Sequence, residues 1–283
     1  MQIKVFSGSV IDTPIYRLSG LAKLIAFIFI SFAVMFSYDI RFVLLVIIFS
    51  IFILRLSKIK YSQIRGMLIY CCIFLMFNFI FTFIFAPNYG TEIYGTRHVI
   101  AFIPGIEHYV LSAEQLLYQL TKTLKYAAVI PFGIIFLLTT DPSELAASLN
   151  AVGVHYKIAY AFSLTLRYFP GVQREYNEIN SALQARGLDL SRKAKLSARF
   201  KNALLIIVPL LFSTLERIET ISNAMDLRGF GKRRKRTWYC SRHLKKQDIF
   251  AIIISLMILA ISISLSVFIN GSRFFNPFAS MPL

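Results

Sequence analysis

Long apolar blocks alternate along the chain with short, mostly basic connections, and their lengths set the first expectation. Residues 21–38 ("LAKLIAFIFISFAVMFSY"), 42–56, 67–86 and 249–269 carry few or no charges. About 20 such residues cross a hydrocarbon core, so each block predicts a transmembrane helix. The 42–56 block is short and needs snorkelling flanks or neighbours to complete its span. The block 126–139 reaches spanning length if its helix begins near Leu116, with Lys122 and Lys125 extending toward one interface. Pro131 should bend that helix.

Beyond residue 139 the pattern changes. In "TTDPSELAASL", Thr140 or Asp141 can cap a helix whose first turn holds Pro142 and Glu144, and Gly153 can end it. Apolar residues then fall at 172, 176, 179 and 183, and again at 211, 215, 218, 221 and 225. Both spacings describe one stripe along an amphipathic helix. The stripes superpose at an offset of 42: Tyr176, Ile179, Leu183, Arg186 and Gly187 match Ile218, Ile221, Met225, Arg228 and Gly229. This is a two-copy echo, each copy closing on Arg-Gly. Glycine past a helix end takes the left-handed conformation readily, and an arginine in the last turn faces the negative end of the helix dipole. Helix termination by itself therefore accounts for one Arg-Gly pair; two at matching stripe positions ask for more.

Between the copies, "SRKAKLSARFKNALLIIVPLLFS" is basic in its first half and apolar over 203–212. Ten apolar residues do not span a bilayer, so this reads as an interfacial or protein-buried helix. "GKRRKRTWYCSRHLKK" precedes the last apolar block and reads as a positive-inside anchor, with Trp238 and Tyr239 at the interface.

Composition agrees with a membrane location: 57% of the 283 residues are hydrophobic, including 27 Phe, more than a soluble chain of this length usually carries. The net charge of +17 would fit nucleic acid, but its distribution argues against that. Of the 31 Lys and Arg, 19 lie in 140–246 and four in 55–66, whereas 87–115 holds only Arg97. Basic loops inside and the poor loop outside give five spans, with a cytoplasmic N-terminus and an external C-terminus. The opening "MQIKVFSGSVIDTPIYRL" is not read as a secretory signal, because no small-residue cleavage site follows at a suitable distance. Cys71, Cys72 and Cys240 form no CxxC pair and read as small packing residues.

Catalytic patterns are missing. A phosphate loop ending at Gly231-Lys232 would need glycine where Asp226 stands. There is no HExxH, no Ser-His-Asp set and no pair of intramembrane carboxylates; Asn78 is the clearly polar residue expected at a span centre. His108 beside Glu107 is read as a solvated loop histidine rather than a metal ligand. No cofactor or metal is expected. These gaps weaken the two competing classes, a membrane enzyme and a stand-alone carrier with ionisable groups at mid-membrane.

The same residues resemble a family, the transmembrane T component (CbiQ-type, EcfT) of energy-coupling factor (ECF) transporters of the ABC class. "DTPIYRLSGLAKL" is similar to the family's "D-x-P-x-H-R-L-D-P-R-x-K-L", with Tyr16 and Ser19 departing from it. "TTDPSEL" resembles the turn opening the coupling region, and "LTLRYFPGVQREYNEINSALQARG" the helix leading to the first Ala-Arg-Gly motif. That motif falls on Ala185, Arg186 and Gly187; the second falls on Leu227, Arg228 and Gly229, with Leu227 where Ala is frequent.

The resemblance implies an all-α integral membrane protein of about five transmembrane helices with a cytoplasmic amphipathic-helix coupling region. Residues 1–139 would form a four-helix membrane region, 140–246 the coupling helices, and 247–283 the last span and tail. It implies a non-catalytic scaffold in the plasma membrane of a prokaryote. The scaffold would join two ABC-type ATPases to a separate vitamin- or metal-binding membrane S component, with the six motif residues as the ATPase-coupling sites.

Overall fold

A computed structural model describes residues 13–96, 98–102, 110–187, 196–232, 237–238, 242, 244–271 and 274–277. His108 and Glu107, and the start of the basic linker between the two copies, lie outside the described residues. The chain divides into two compact units: Met1–Asp141 with Arg242–Leu283, and Pro142–Ser241.

The first unit opens with the turn-long α1 (Pro14–Arg17), followed by α2 (Gly20–Phe36), α3 (Ile40–Leu56) and α4 (Tyr61–Phe85). A short α5 (Tyr89–Tyr94) and a small antiparallel hairpin, β1 (Val99–Phe102) with β2 (Val110–Ser112), lead into α6 (Ala113–Thr139). The unit closes with α10 (Lys246–Ser264), whose last turn widens into a π-helix over Leu265–Ile269. The protein is an all-α membrane protein apart from that hairpin. Among the described residues, three helices are long and apolar enough to cross a membrane: Tyr61–Phe85, Ala113–Thr139 and Lys246–Ile269; Gly20–Phe36 is a shorter apolar helix. At 17 residues, α2 and α3 are each about 26 Å long, close to the hydrocarbon thickness.

The core lies where α2, α3 and α6 meet, around Ile30, Ala33, Val34, Phe42, Val43, Val46, Ala128 and Phe132. In lipid there is little hydrophobic gain from joining helices, so close packing at small residues and interhelical hydrogen bonds have to hold them. Both are present. Ala22, Ala33 and Ala128 are fully buried. The Ser19 N–H donates to Asp248 Oδ1 (2.7 Å) at one end of the α2–α10 pair, and Ser262 Oγ donates to the Ala33 carbonyl (2.7 Å) at the other. Both contacts join residues 229 apart, so α2 and α10 run parallel and in register.

Lys122 and Lys125, expected to extend toward one interface, both bond within the protein. Lys125 is buried, donates to the Met35 carbonyl (2.7 Å) and sits 3.3 Å from the centre of the Tyr38 ring. Lys23 of α2 mirrors it by donating to the Thr139 carbonyl at the end of α6 (2.7 Å). Each lysine satisfies a carbonyl in the last turn of the other helix, where the helix dipole is negative. The two contacts also set α2 and α6 antiparallel. Lys122 binds Thr82 Oγ1 on α4 (2.9 Å). Polar groups inside the spans are thus more numerous than Asn78, and Lys23, Lys122, Lys125 and Ser262 each join two helices.

In the second unit, α7 (Pro142–Ala151) ends as expected before Gly153, which has φ +113°. Both later helices are longer than their stripes. α8 (Tyr156–Ala185, 30 residues) runs through Pro170, and α9 (Leu196–Leu227, 32 residues) runs through Pro209. A proline removes one internal hydrogen bond, a local loss; the apolar periodicity on either side continues the helix. From Leu196 onward the linker and the second stripe are therefore one helix, not two.

Candidate functional site: two arginine-ended helices

Both Arg-Gly pairs stand where a helix stops. Ala185 is the last residue of α8, and the Arg186 N–H still bonds the Ala182 and Leu183 carbonyls. Gly187 has φ +85° and donates to the Gln184 carbonyl (3.0 Å). In the second copy, Leu227 is the last residue of α9 and Arg228 N–H bonds Ala224. Gly229 has φ +65°, its N–H reaches Asp226 (2.9 Å), and the Phe230 N–H reaches Met225 (2.9 Å). That pair of bonds is the Schellman closure, which requires a left-handed residue at the glycine position. A Cβ on Gly187 would meet nothing within 4 Å, so conformation rather than space asks for glycine there.

The arginines themselves are on the outside: Ala185, Arg186, Gly187, Leu227 and Arg228 are all exposed, and Leu227 is 91% exposed. A guanidinium is a planar fork of N–H donors, a shape that suits an acidic or carbonyl partner.

The two helices meet at matching positions. Arg217 Nη2 donates to Glu175 Oε2 (2.7 Å), and Ser213 Oγ also donates to the Glu175 carboxylate. Glu175 and Arg217 are 42 residues apart, the offset of the echo, so equivalent points of the two copies touch. Beyond Arg228 the chain turns back onto the start of α8: the Phe230 ring lies 4.9 Å from Tyr160 and 5.6 Å from Tyr156. Trp238 joins this cluster, donating from Nε1 to Asn150 Oδ1 (3.0 Å). The Arg228 end of α9 therefore sits by the first turns of α8, and Arg186 by its last. The 26 residues from Tyr160 to Arg186 correspond to about 39 Å along a helix. Sequence spacing brings the six motif residues into two triplets, and the fold holds the triplets far apart.

No group of three or more metal-ligating side chains occurs among the described residues. The polar cluster that sequence reasoning missed is in the first unit: Glu114, fully buried, accepts from the His98 main chain (3.0 Å), His98 Nδ1 (2.6 Å) and Thr96 Oγ1 (3.0 Å). It ties β1 to the first turn of α6. No spacing rule points to it, because the partners come together only through the hairpin.

A family model described as cobalt transport protein (CbiQ) matches residues 12–239. Among curated proteins, the chain is 26% identical over 246 residues to the energy-coupling factor transporter transmembrane protein EcfT of Lactococcus lactis, covering 84% of this chain and 87% of that one. It is 25% identical over 257 residues to EcfT of Streptococcus equi, covering 86% and 89%. It is also 34% identical over 146 residues to a putative ABC transporter ATP-binding protein of Bifidobacterium longum, covering 48% of this chain and 19% of that protein.

Proposed function

The chain belongs to the CbiQ family of cobalt transport proteins, the family of the transmembrane T component of ECF transporters, and on that premise we propose that it is the coupling subunit of an ATP-driven importer. Arg186 and Arg228 would each dock one cytoplasmic ABC-type ATPase. A separate vitamin- or metal-binding S component would lie against the apolar faces of α8 and α9. The observation that carries this reading is the pair of exposed Arg-Gly helix ends, equivalent by the 42-residue echo and held about 39 Å apart along α8. Two ATPase subunits need two separated anchors of one kind. The likeness to part of a putative ABC transporter ATP-binding protein supports partners of that class.

A helix end carrying arginine can enter a groove and make charge-assisted hydrogen bonds to acidic groups there. Closing two ATPases on ATP would move the two ends relative to one another, and long rigid helices would carry that motion to whatever packs on their faces. The chain itself has no phosphate loop, so hydrolysis is assigned to the partners and the purified chain should show none. Because loss of one partner from a buried charge pair costs about 2–5 kcal/mol, Arg186→Ala with Arg228→Ala should abolish ATPase copurification in mild detergent at equal membrane expression. Retention of both ATPases and full uptake by the double variant would reduce the motif to a helix stop.

A further inference from the structure

Outside the coupling helices, the first unit contains an apolar groove of about 520 Å³ between α2, α3, α6 and α10, floored by α1. That volume lies within the range of small-molecule sites. Its wall includes Ala26 and Phe27 of α2, Phe49 of α3, Phe136 of α6 and Phe250 and Ala251 of α10. The polar side chains deep in the wall are already satisfied within the protein: Lys23 Nζ donates to the Thr139 carbonyl and Ser255 Oγ to the Ile252 carbonyl. Both already have a partner inside the protein, and the rest of the inner wall is apolar, which suits an alkyl chain.

The mouth has the opposite character. Lys246 and Gln247 line it, and both are exposed, as is Lys245 beside them. Leu56 lines the same end, preceded by Arg55 and followed by Lys58 and Lys60, all three exposed. Against these five cations stand the buried Asp248, which accepts from the main-chain N–H groups of Ser19 and Lys245, and the exposed Asp141 just past α6. From Lys246 to Ser255 the groove extends about 14 Å along α10, from the charged end toward the middle of the span.

We infer that this groove binds one anionic glycerophospholipid, its phosphate held at the Lys245–Lys246 mouth and one acyl chain lying between α2 and α10. An apolar slot beside a cationic rim matches the acyl chain and phosphate of that molecule. The basic end is the end that loop charge assigns to the cytoplasm, where the leaflet is rich in anionic lipid. Each lysine near such a headgroup contributes about 1 kcal/mol, or about five-fold in affinity.

The test is native mass spectrometry of the full chain titrated with phosphatidylglycerol or with phosphatidylcholine of the same chains. One tightly held phosphatidylglycerol is expected, preferred over phosphatidylcholine by well above five-fold. Lys245→Gln with Lys246→Gln should remove the preference, and Ala251→Phe should remove the adduct. Because Ala251→Phe can disturb α2–α10 packing, a second arm places a reporter on the wall. Phe250→Trp in a Trp238→Phe background should be quenched by phosphatidylglycerol with brominated chains. Equal retention of both lipids, an unchanged preference in the double lysine variant, or no quenching would overturn the inference. So would cross-linking of a partner protein through Phe250→Cys with no lipid adduct, which would assign the groove to a protein helix.

Discussion

Glu175 and Arg217 occupy equivalent positions in the two copies of the repeat, and their side chains bond to each other at 2.7 Å. From Glu175 to Arg186 is 11 residues, and from Arg217 to Arg228 is again 11, about 17 Å of helix in each case. The contact therefore stands equally far from both Arg-Gly ends, where a pivot between two arms would be placed. The pair is partly exposed, with 35% of the Arg217 side chain and 18% of Glu175 accessible. Its stability contribution should then be modest, on the order of 1 kcal/mol.

A pivot and a simple brace differ in what they affect. Glu175→Gln or Arg217→Ala should leave both ATPases bound, since the arginine ends are untouched, but lower ATP-driven uptake severalfold. The exchange Glu175→Arg with Arg217→Glu should restore part of it. Copurification and uptake measured on the same membranes check this; loss of ATPase binding in step with uptake would point to misfolding of α8 and α9 instead.

Gly187→Ala and Gly229→Ala test the aim of the arginines rather than their charge. Both positions have positive φ, +85° and +65°, where a Cβ costs about 1 kcal/mol. Each variant should weaken ATPase retention less than removal of the adjacent arginine. Asn, which tolerates this conformation, should be milder than Ala. Arg186→Lys and Arg228→Lys should rescue only partly, because the ammonium keeps charge and loses the planar fork.

Lys125 is expected to be structural. Lys125→Met removes a charge-assisted bond to the Met35 carbonyl and the contact with Tyr38, an expected loss of about 1.5–3 kcal/mol. Lys58→Met, on an exposed turn at the end of α3, should change stability little. Thermal unfolding of the detergent-solubilised chain distinguishes the two; equal midpoints would remove Lys125 from the account.

Loop orientation is testable in whole cells with an impermeant thiol reagent in a cysteine-free background. A cysteine at Asn88 should label and one at Ser191 should not, since the basic segments are expected inside. The reverse pattern would invert the topology.

The amino-acid pattern alone determined what depends on neighbours a few residues away. Block length and lack of charge are enough to commit the main spans to a bilayer, because transfer and backbone satisfaction act segment by segment. The two Arg-Gly ends were equally legible, since a stripe at period 3.6 followed by glycine is a local statement. Tertiary structure decided where long side chains go and which copies meet. Lys125 turned inward because the end of α2 offers it a carbonyl and the Tyr38 ring, groups that no window around residue 125 contains. The Glu175–Arg217 pair was hidden for the same reason, although the 42-residue offset was already visible. The wide separation of the two arginines arises from Phe230 folding back on Tyr156 and Tyr160, a choice of packing partner made between helices rather than along one.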